Sequence, residues 1–349
     1  MARGTGRSTL SGIAAEAGVS VSAVSKVLNG RTDVAAGTRA RIAALLRRDG
    51  YQVTSRLGFG VVDLLIATLH TPWAEELLRG TVQAADEAGT SVVVSTVDSP
   101  GGFTAWLNRA TARGTDGALA VLNLPDSSEL QRLAAARIPL VVIDPPEEPG
   151  PGVRSVGTTN WQGALTATRH LIELGHRRIA IIGGPEHLWS SRARLAGYRA
   201  ALEAAGLDAP GELVRRDQFC AGGGRRQARE LLALAQPPTA IVAGNDAQAF
   251  GVLQALGERG LRAPQDLSVV GFDDVPVASW ATPALTTVRQ PLAAMAATAF
   301  RMLHGPRGPV AGSALPRLAG GPGSGEPHHI ELATTLVIRD STGPPSRVI

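Results

Sequence analysis

Apolar residues recur along this chain in two rhythms, and the rhythm changes near residue 51. In the first fifty residues they fall at helical spacing. Leu10, Ile13, Ala14 and Ala17 form one stripe, Val24, Val27 and Leu28 a second, and Ile42, Leu45 and Leu46 a third. Three short helices are predicted, over 10–17, from 21 to the Asn29-Gly30 pair, and over 36–49. Thr9 and Ser20 are suited to cap the first two, because a short hydroxyl accepts from a free helical N–H. Gly18 and Gly50 are natural stops.

Past Tyr51 the apolar residues come in uninterrupted runs: VVDLLIATL, SVVVSTV, GALAVL, PLVVID, RRIAIIGG, TAIVAG and LSVVGFDD. Helical stretches such as PWAEELLRGTVQAADEAG lie between them. Runs apolar on both faces belong in parallel sheets covered by helices. There are enough units for two sheets, so the fold class is α/β: a three-helix head, then a two-lobed body. The expected division is 1–51 for the head, 52–60 for a short connector and 61–349 for the body. Residues 305–327, rich in Gly and Pro without apolar period, read as a long loop. HIELATTLVIRDST, which follows, is expected to form one late strand.

Charge sharpens the division. Residues 1–56 hold nine Lys/Arg and three Asp/Glu, a net +6 of the chain's +4 total, so the body is slightly acidic. A small basic head with a two-helix unit points to double-stranded DNA. The second helix carries Lys26, the only lysine in 349 residues. Lys suits the guanine O6/N7 edge. No run of eighteen apolar residues is present, and the N-terminal MARGTGRSTL lacks the apolar core of an export signal. The expected place of action is the cytoplasm, with no membrane partner. The single cysteine, Cys220, forms no internal disulfide.

Ligands of open parallel sheets bind beyond the carboxyl ends of the strands. That rule singles out Asp144, Asn245-Asp246 and Asp273-Asp274, each after an apolar run. Asp246 and Asp274 are expected to cap helices or turns, and Asp144, before two prolines, suits a turn as well as a ligand site. His328-His329 lack a second ligand cluster, so no metal is expected. Gly222–Gly224 is not followed by the Lys-Ser/Thr of a phosphate loop. No cofactor is implied and no catalytic set stands out.

The head sequence AAEAGVSVSAVSKVLN resembles the signature of the LacI/GalR family of bacterial transcription regulators. ELGHRRIAIIGGP, SRARLAGYRAAL, AGNDAQAFG, DLSVVGFDD and LTTVRQP resemble its body motifs, in family order. The resemblance spans nearly the whole chain. It implies a homodimer reading a near-palindromic operator, with a body like periplasmic sugar-binding proteins. A small effector, a sugar by analogy, would change DNA affinity. It implies that Val21, Ser22 and Lys26 read bases, with Thr9, Ser20, Ser25, Asn29, Thr38 and Tyr51 also among the DNA-facing residues. Leu57 is the connector leucine expected in the minor groove, although Gly58 and Gly60 oppose a continuous helix there. In the body it implies effector binding by Arg194, Asn245, Asp273 and Phe219, with Asp144 and Trp73 completing the pocket. The head departs from the signature at Ala23, Ala35 and Asp49, the last a polar residue at an expected core position. The expected function is a repressor of sugar-use genes released by its effector. An activator or corepressor-dependent regulator, and outside this class a sugar-transport binding protein, are the alternatives.

Overall fold

The computed structural model describes residues 9–28, 34–49, 51, 60–97, 101–150, 152–304 and 328–346. The head consists of α1 (Leu10–Ala17), α2 (Val21–Leu28) and α3 (Ala36–Arg48). The Thr9 hydroxyl accepts from Gly12 N at 3.3 Å, and that of Ser20 from Ala23 N at 3.2 Å. Gly18 ends α1 in the left-handed region at φ +64°, a conformation that costs glycine little. Ile13, Ala14, Ala17, Val24, Val27, Ile42 and Leu46 form a buried cluster, with Leu10, Leu28, Leu45 and Tyr51 packed against it. Asp49 does not enter this cluster. Arg48 reaches Glu16 through both guanidinium nitrogens at 2.6 and 2.7 Å and Asp49 at 3.0 Å, tying the end of α3 to α1. The hydrogen bonds from Arg48 hold the Glu16 carboxyl below its ordinary range. Asn29, Leu57, most of the 52–60 connector and the 305–327 loop lie outside the described residues.

The body begins with β1 (Val61–Ile66), α4 (Pro72–Glu87), β2 (Ser91–Thr96), α5 (Gly102–Arg113), β3 (Gly117–Val121), α6 (Ser127–Ala136), β4 (Leu140–Ile143) and β5 (Arg154–Thr158). Next come α7 (Asn160–Glu173), β6 (Ile179–Gly183), α8 (Trp189–Ala204), β7 (Val214–Arg216), α9 (Ala221–Leu231) and β8 (Ala240–Ala243). The chain continues through α10 (Asp246–Gly257), β9 (Ser268–Asp273), β10 (Thr286–Arg289), α11 (Leu292–His304), β11 (His329–Leu332) and β12 (Thr335–Val337).

These strands form two six-stranded sheets of the same winding, ordered β11-β5-β4-β3-β1-β2 and β12-β10-β9-β8-β6-β7. The first is wholly parallel; in the second, β12 runs antiparallel to β10. The 329–342 run is therefore two strands in two sheets rather than one. Between them Thr334 N donates to Thr159 Oγ1 at 2.9 Å, pinning one connection between the lobes to another. The chain passes between lobes three times, after β5, after β10 and after β11. SVVVSTV, read as buried on both faces, forms the edge strand β2 and is only half-buried, since an edge strand has a neighbour on one side alone.

Apolar faces of β1, β3 and β4 pack against α4 and α11 in the first lobe. In the second, α7 and α8 cover one face and α9 and α10 the other. Helices α7 and α8 approach closely at Gly197, where a Cβ would stand 2.1 Å from Trp161 O. That contact fixes where α8 presents its N-terminal half to the interlobe cleft.

Candidate functional site

The head presents its exposed polar surface at the start of α2. Val21 and Ser22 are exposed, on the side opposite the buried Val24 and Val27. Ser25 and Lys26 follow one turn on, half-buried, each already engaged with a neighbour. Thr38 on α3 and Tyr51 are half-buried as well. The Thr9 and Ser20 hydroxyls accept from helical N–H groups, a role that leaves a hydroxyl able to donate as well.

In the body, Arg194 is the hub of the interlobe cleft. It lies on α8 and is 5% exposed, so it needs partners for its charge. Its Nε donates to Asn160 Oδ1 at 2.8 Å and its Nη1 to the Gly244 carbonyl at 2.5 Å. Asp273 Oδ1 stands 4.0 Å from Nη1. The guanidinium lies 3.7 Å over the Phe272 ring and 5.6 Å from the Phe219 centroid. Phe219 in turn lies over Gly184, where a Cβ would meet its ring at 2.1 Å; only glycine admits the ring there.

Three buried carboxylates surround this cation. Asp273 accepts from Gln290 Nε2 at 2.6 Å, and Gln290 Oε1 accepts from the Thr158 hydroxyl at 2.9 Å. One side chain on the second connection between lobes thus links the end of β5 to the end of β9. Burial pushes the Asp273 carboxyl up to about 7, against the opposing pull of Arg194 and the Gln290 hydrogen bond. Asp246 is raised well above its ordinary value by burial and by the charge of Asp273. Both its oxygens are committed, to Thr287 Oγ1 at 2.5 Å and Val275 N at 2.9 Å, so it ties α10 to the neighbouring strands. Asp144 is different. It is 6% exposed, raised by burial and attracted by Arg194, yet its carboxylate has no hydrogen-bond donor among the described residues.

Backbone strain gathers at the same strand ends. Asp144, Asp273 and Asp274 have φ of 49°, 121° and 56°. L-residues adopt such values at a cost, and they concentrate at ligand sites and switches. Asp274 does not cap a turn; it pairs with Arg289 and Arg339, each at 2.7 Å. Asn245 caps α10, accepting from Gln248 N at 2.9 Å, while its Nδ2 donates to Phe219 O at 3.4 Å. Arg194, Asp144, Asp273, Phe219 and Asn245 are thus brought together. Trp73, on the first turn of α4, is half-buried against the core of the first lobe.

The lacI family of bacterial regulatory proteins matches residues 9–53, and the periplasmic binding protein-like domain matches residues 168–342. The ribose operon repressor of Escherichia coli (strain K12) is 34% identical over 297 residues, which cover 81% of this chain and 88% of that one. The chain belongs to the lacI family. A solved transcriptional regulator CelR–cellobiose complex superposes with a TM-score of 0.69 at 31% identity, covering 96% of this chain and all of that one. The lac repressor dimer bound to operator and the anti-inducer ONPF gives 0.68 at 26% identity, covering 97% of this chain and 100% of the other. This LacI-family chain is a DNA-binding transcription regulator. No helix among its described residues is long and apolar enough to cross a membrane.

Thr158 and Asn160 of this regulator's cleft carried no signal in the sequence, and Gln290, inside the LTTVRQP motif, had no role read from it. Asn160, Gln290 and Thr158 lie on or beside connections between lobes, where no apolar run ends in a conspicuous charge. Their roles depend on three passes of the chain meeting at one place. A cavity of about 280 Å³ opens beside Asp144, between Trp161 and Gln162 of α7, Trp189 of α8, and His329 and Glu331 of β11. It too is assembled from distant segments. His329 forms part of its wall, on β11.

Proposed function

We propose that this chain represses sugar-utilisation genes and leaves its operator when a sugar-like effector enters the interlobe cleft. Asp144 carries the proposal: a buried carboxylate at a strained strand end, attracted by Arg194, with no hydrogen-bond donor among the described residues. Such a group keeps its oxygens for ligand hydroxyls. Arg194 and Asp273 supply donor and acceptor beside it, Phe219 an apolar face, and Asn245 the remaining Nδ2 hydrogen. Trp73 closes the pocket from the first lobe. The relatives support a sugar-like effector, since one is a ribose operon repressor and another is solved in complex with cellobiose.

The head supplies the second binding event. Val21, Ser22 and Lys26 of α2 read base edges, while Thr9, Ser20, Ser25, Asn29, Thr38 and Tyr51 hold the phosphate backbone and Leu57 reaches the minor groove. A homodimer places two such helices about 34–36 Å apart on a near-palindromic site. The protein acts in the cytoplasm by binding, not by bond-making chemistry. A transport protein of the same body has no use for this head. Effector binding favours one lobe arrangement over another and thereby shifts the head's affinity for DNA.

A thermal-shift screen of the full chain against neutral sugars tests the cleft. A ligand at 100 times its Kd stabilises the folded form by about 2.7 kcal/mol. A sugar that raises Tm should lose most of that shift in Asp144→Asn. An undiminished shift overturns the site.

A further inference from the structure

We propose that the cavity between α7, α8 and β11 binds a small organic ammonium ion, a ligand distinct from the sugar-like effector. The cavity measures about 280 Å³, at the small end for a ligand pocket. Its walls come from both lobes: Asp144, His329 and Glu331 from the first, Trp161 and Trp189 from α7 and α8 of the second. Arg194, Phe219, Asn245 and Asp273 are not among them, so Asp144 alone is common to this cavity and the proposed effector site.

Charge selects the class. Asp144 and Glu331 line the cavity, and no Lys or Arg does. Asp144 is 6% exposed and has no hydrogen-bond donor among the described residues. Arg194 attracts it, but that guanidinium spends Nε on Asn160 and Nη1 on the Gly244 carbonyl. A buried carboxylate without a donor is costly, and a cation beside it offsets the cost. Trp189 N donates to Pro146 O at 2.7 Å, fastening the loop after Asp144 to α8. The same loop continues into the exposed Glu147 and Glu148, which make the local potential more negative. An anion here would meet two carboxylates and no cation.

The remaining walls suit the same ligand. Trp161, in the first turn of α7, is 44% exposed, and Trp189, in the first turn of α8, is half-buried. An indole face attracts a cation through the ring quadrupole more strongly than Tyr or Phe does, and rings of this kind are a general means of holding quaternary ammonium groups. The Trp189 and His329 rings lie 5.4 Å apart, tilted by 38°. His329 Nδ1 stands 2.8 Å from Ser155 Oγ, while its buried Nε2 has no hydrogen-bond partner and lies 3.8 Å from Glu331 Oε1. With Ser155 accepting from Nδ1, Nε2 is an acceptor for a ligand hydroxyl or N–H. Among the described residues no group of three or more His, Cys, Asp or Glu side chains could hold a metal ion, so the cation that fits these walls is organic.

Calorimetric titration of the full chain with choline, ethanolamine and dimethylbutanol, the uncharged carbon isostere of choline, tests this at matched ionic strength. Choline or ethanolamine should bind at least about tenfold more tightly than the isostere. Trp161→Ala and Glu331→Gln, both changes at exposed side chains, should each weaken that binding by about fivefold. Equal affinity for the cation and its isostere, affinity unchanged by both substitutions, or no binding of either ammonium ion at millimolar concentration overturns the site. A sugar that raises Tm while neither ammonium ion binds strikes this inference and leaves the effector reading standing. Binding of choline without any sugar does the reverse.

Discussion

One guanidinium set among three buried carboxylates leaves the cleft with more negative charge than Arg194 neutralises. Asp246 spends both oxygens on the protein and Asp273 spends one, so Asp144 is the acid left for ligand. The burial of these acids has a consequence for stability. The Asp273 carboxyl is raised to about 7 in the folded chain, while an unfolded aspartate stays near 4. Between those values the folded form binds the extra proton, so this group's contribution to stability grows as pH falls through about 7. Above that, the folded form carries a desolvated charge. Asp273→Asn should therefore melt higher relative to the parent at pH 8 than at pH 5.5, read by thermal unfolding at both values. A difference in Tm independent of pH contradicts the assignment. Asp144, Arg194 and Asp273 were legible in the sequence because each ends an apolar run or lies in a dense motif. Asn160 was not, since its value lies in a partner 34 residues away, and Gln290, though inside LTTVRQP, gave no sign of Asp273 17 residues before it.

At the scale of elements, the head was legible almost to the residue: caps, stop and inner stripes are local properties of the sequence. Asp49 looks misplaced from the pattern alone, which gives no sign that Arg48 pairs with it and also reaches Glu16 of α1. The late run 329–342 misled for a related reason. Its β-like texture is continuous, and only the meeting of two lobes decides that it is cut at Ala333-Thr334. Helix packing sets the cleft in turn. With 2.1 Å available to a Cβ at Gly197, α8 lies directly on the backbone of α7. Gly197→Ala should force the two apart and lower stability by about 1–3 kcal/mol, measured by denaturant unfolding. It should also weaken effector binding, because Asn160 and Arg194 ride on these two helices. Unchanged stability would mean that α7 and α8 are not held as described.

For the whole molecule, the two sheets share one winding, and their strand ends face each other across three connections that bear Thr158, Gln290 and Thr334. Thr158 reaches Asp273 through Gln290, so the polar contacts that hold the lobes are continuous with the proposed effector site. Two α/β lobes and a DNA-binding head were legible from composition and rhythm alone. The cavity was not, since it forms only where segments near residues 144, 161, 189 and 329 converge. The central claim is that occupancy of this cleft weakens the head's hold on DNA. Its most direct test is fluorescence anisotropy of the full chain on a duplex that it has selected from random DNA, with and without the sugar that raises its Tm. The account predicts at least about a tenfold loss of affinity with sugar, equivalent to about 1.4 kcal/mol of coupling, and no loss in Asp144→Asn. Unchanged or tighter DNA binding with the cleft occupied would contradict it.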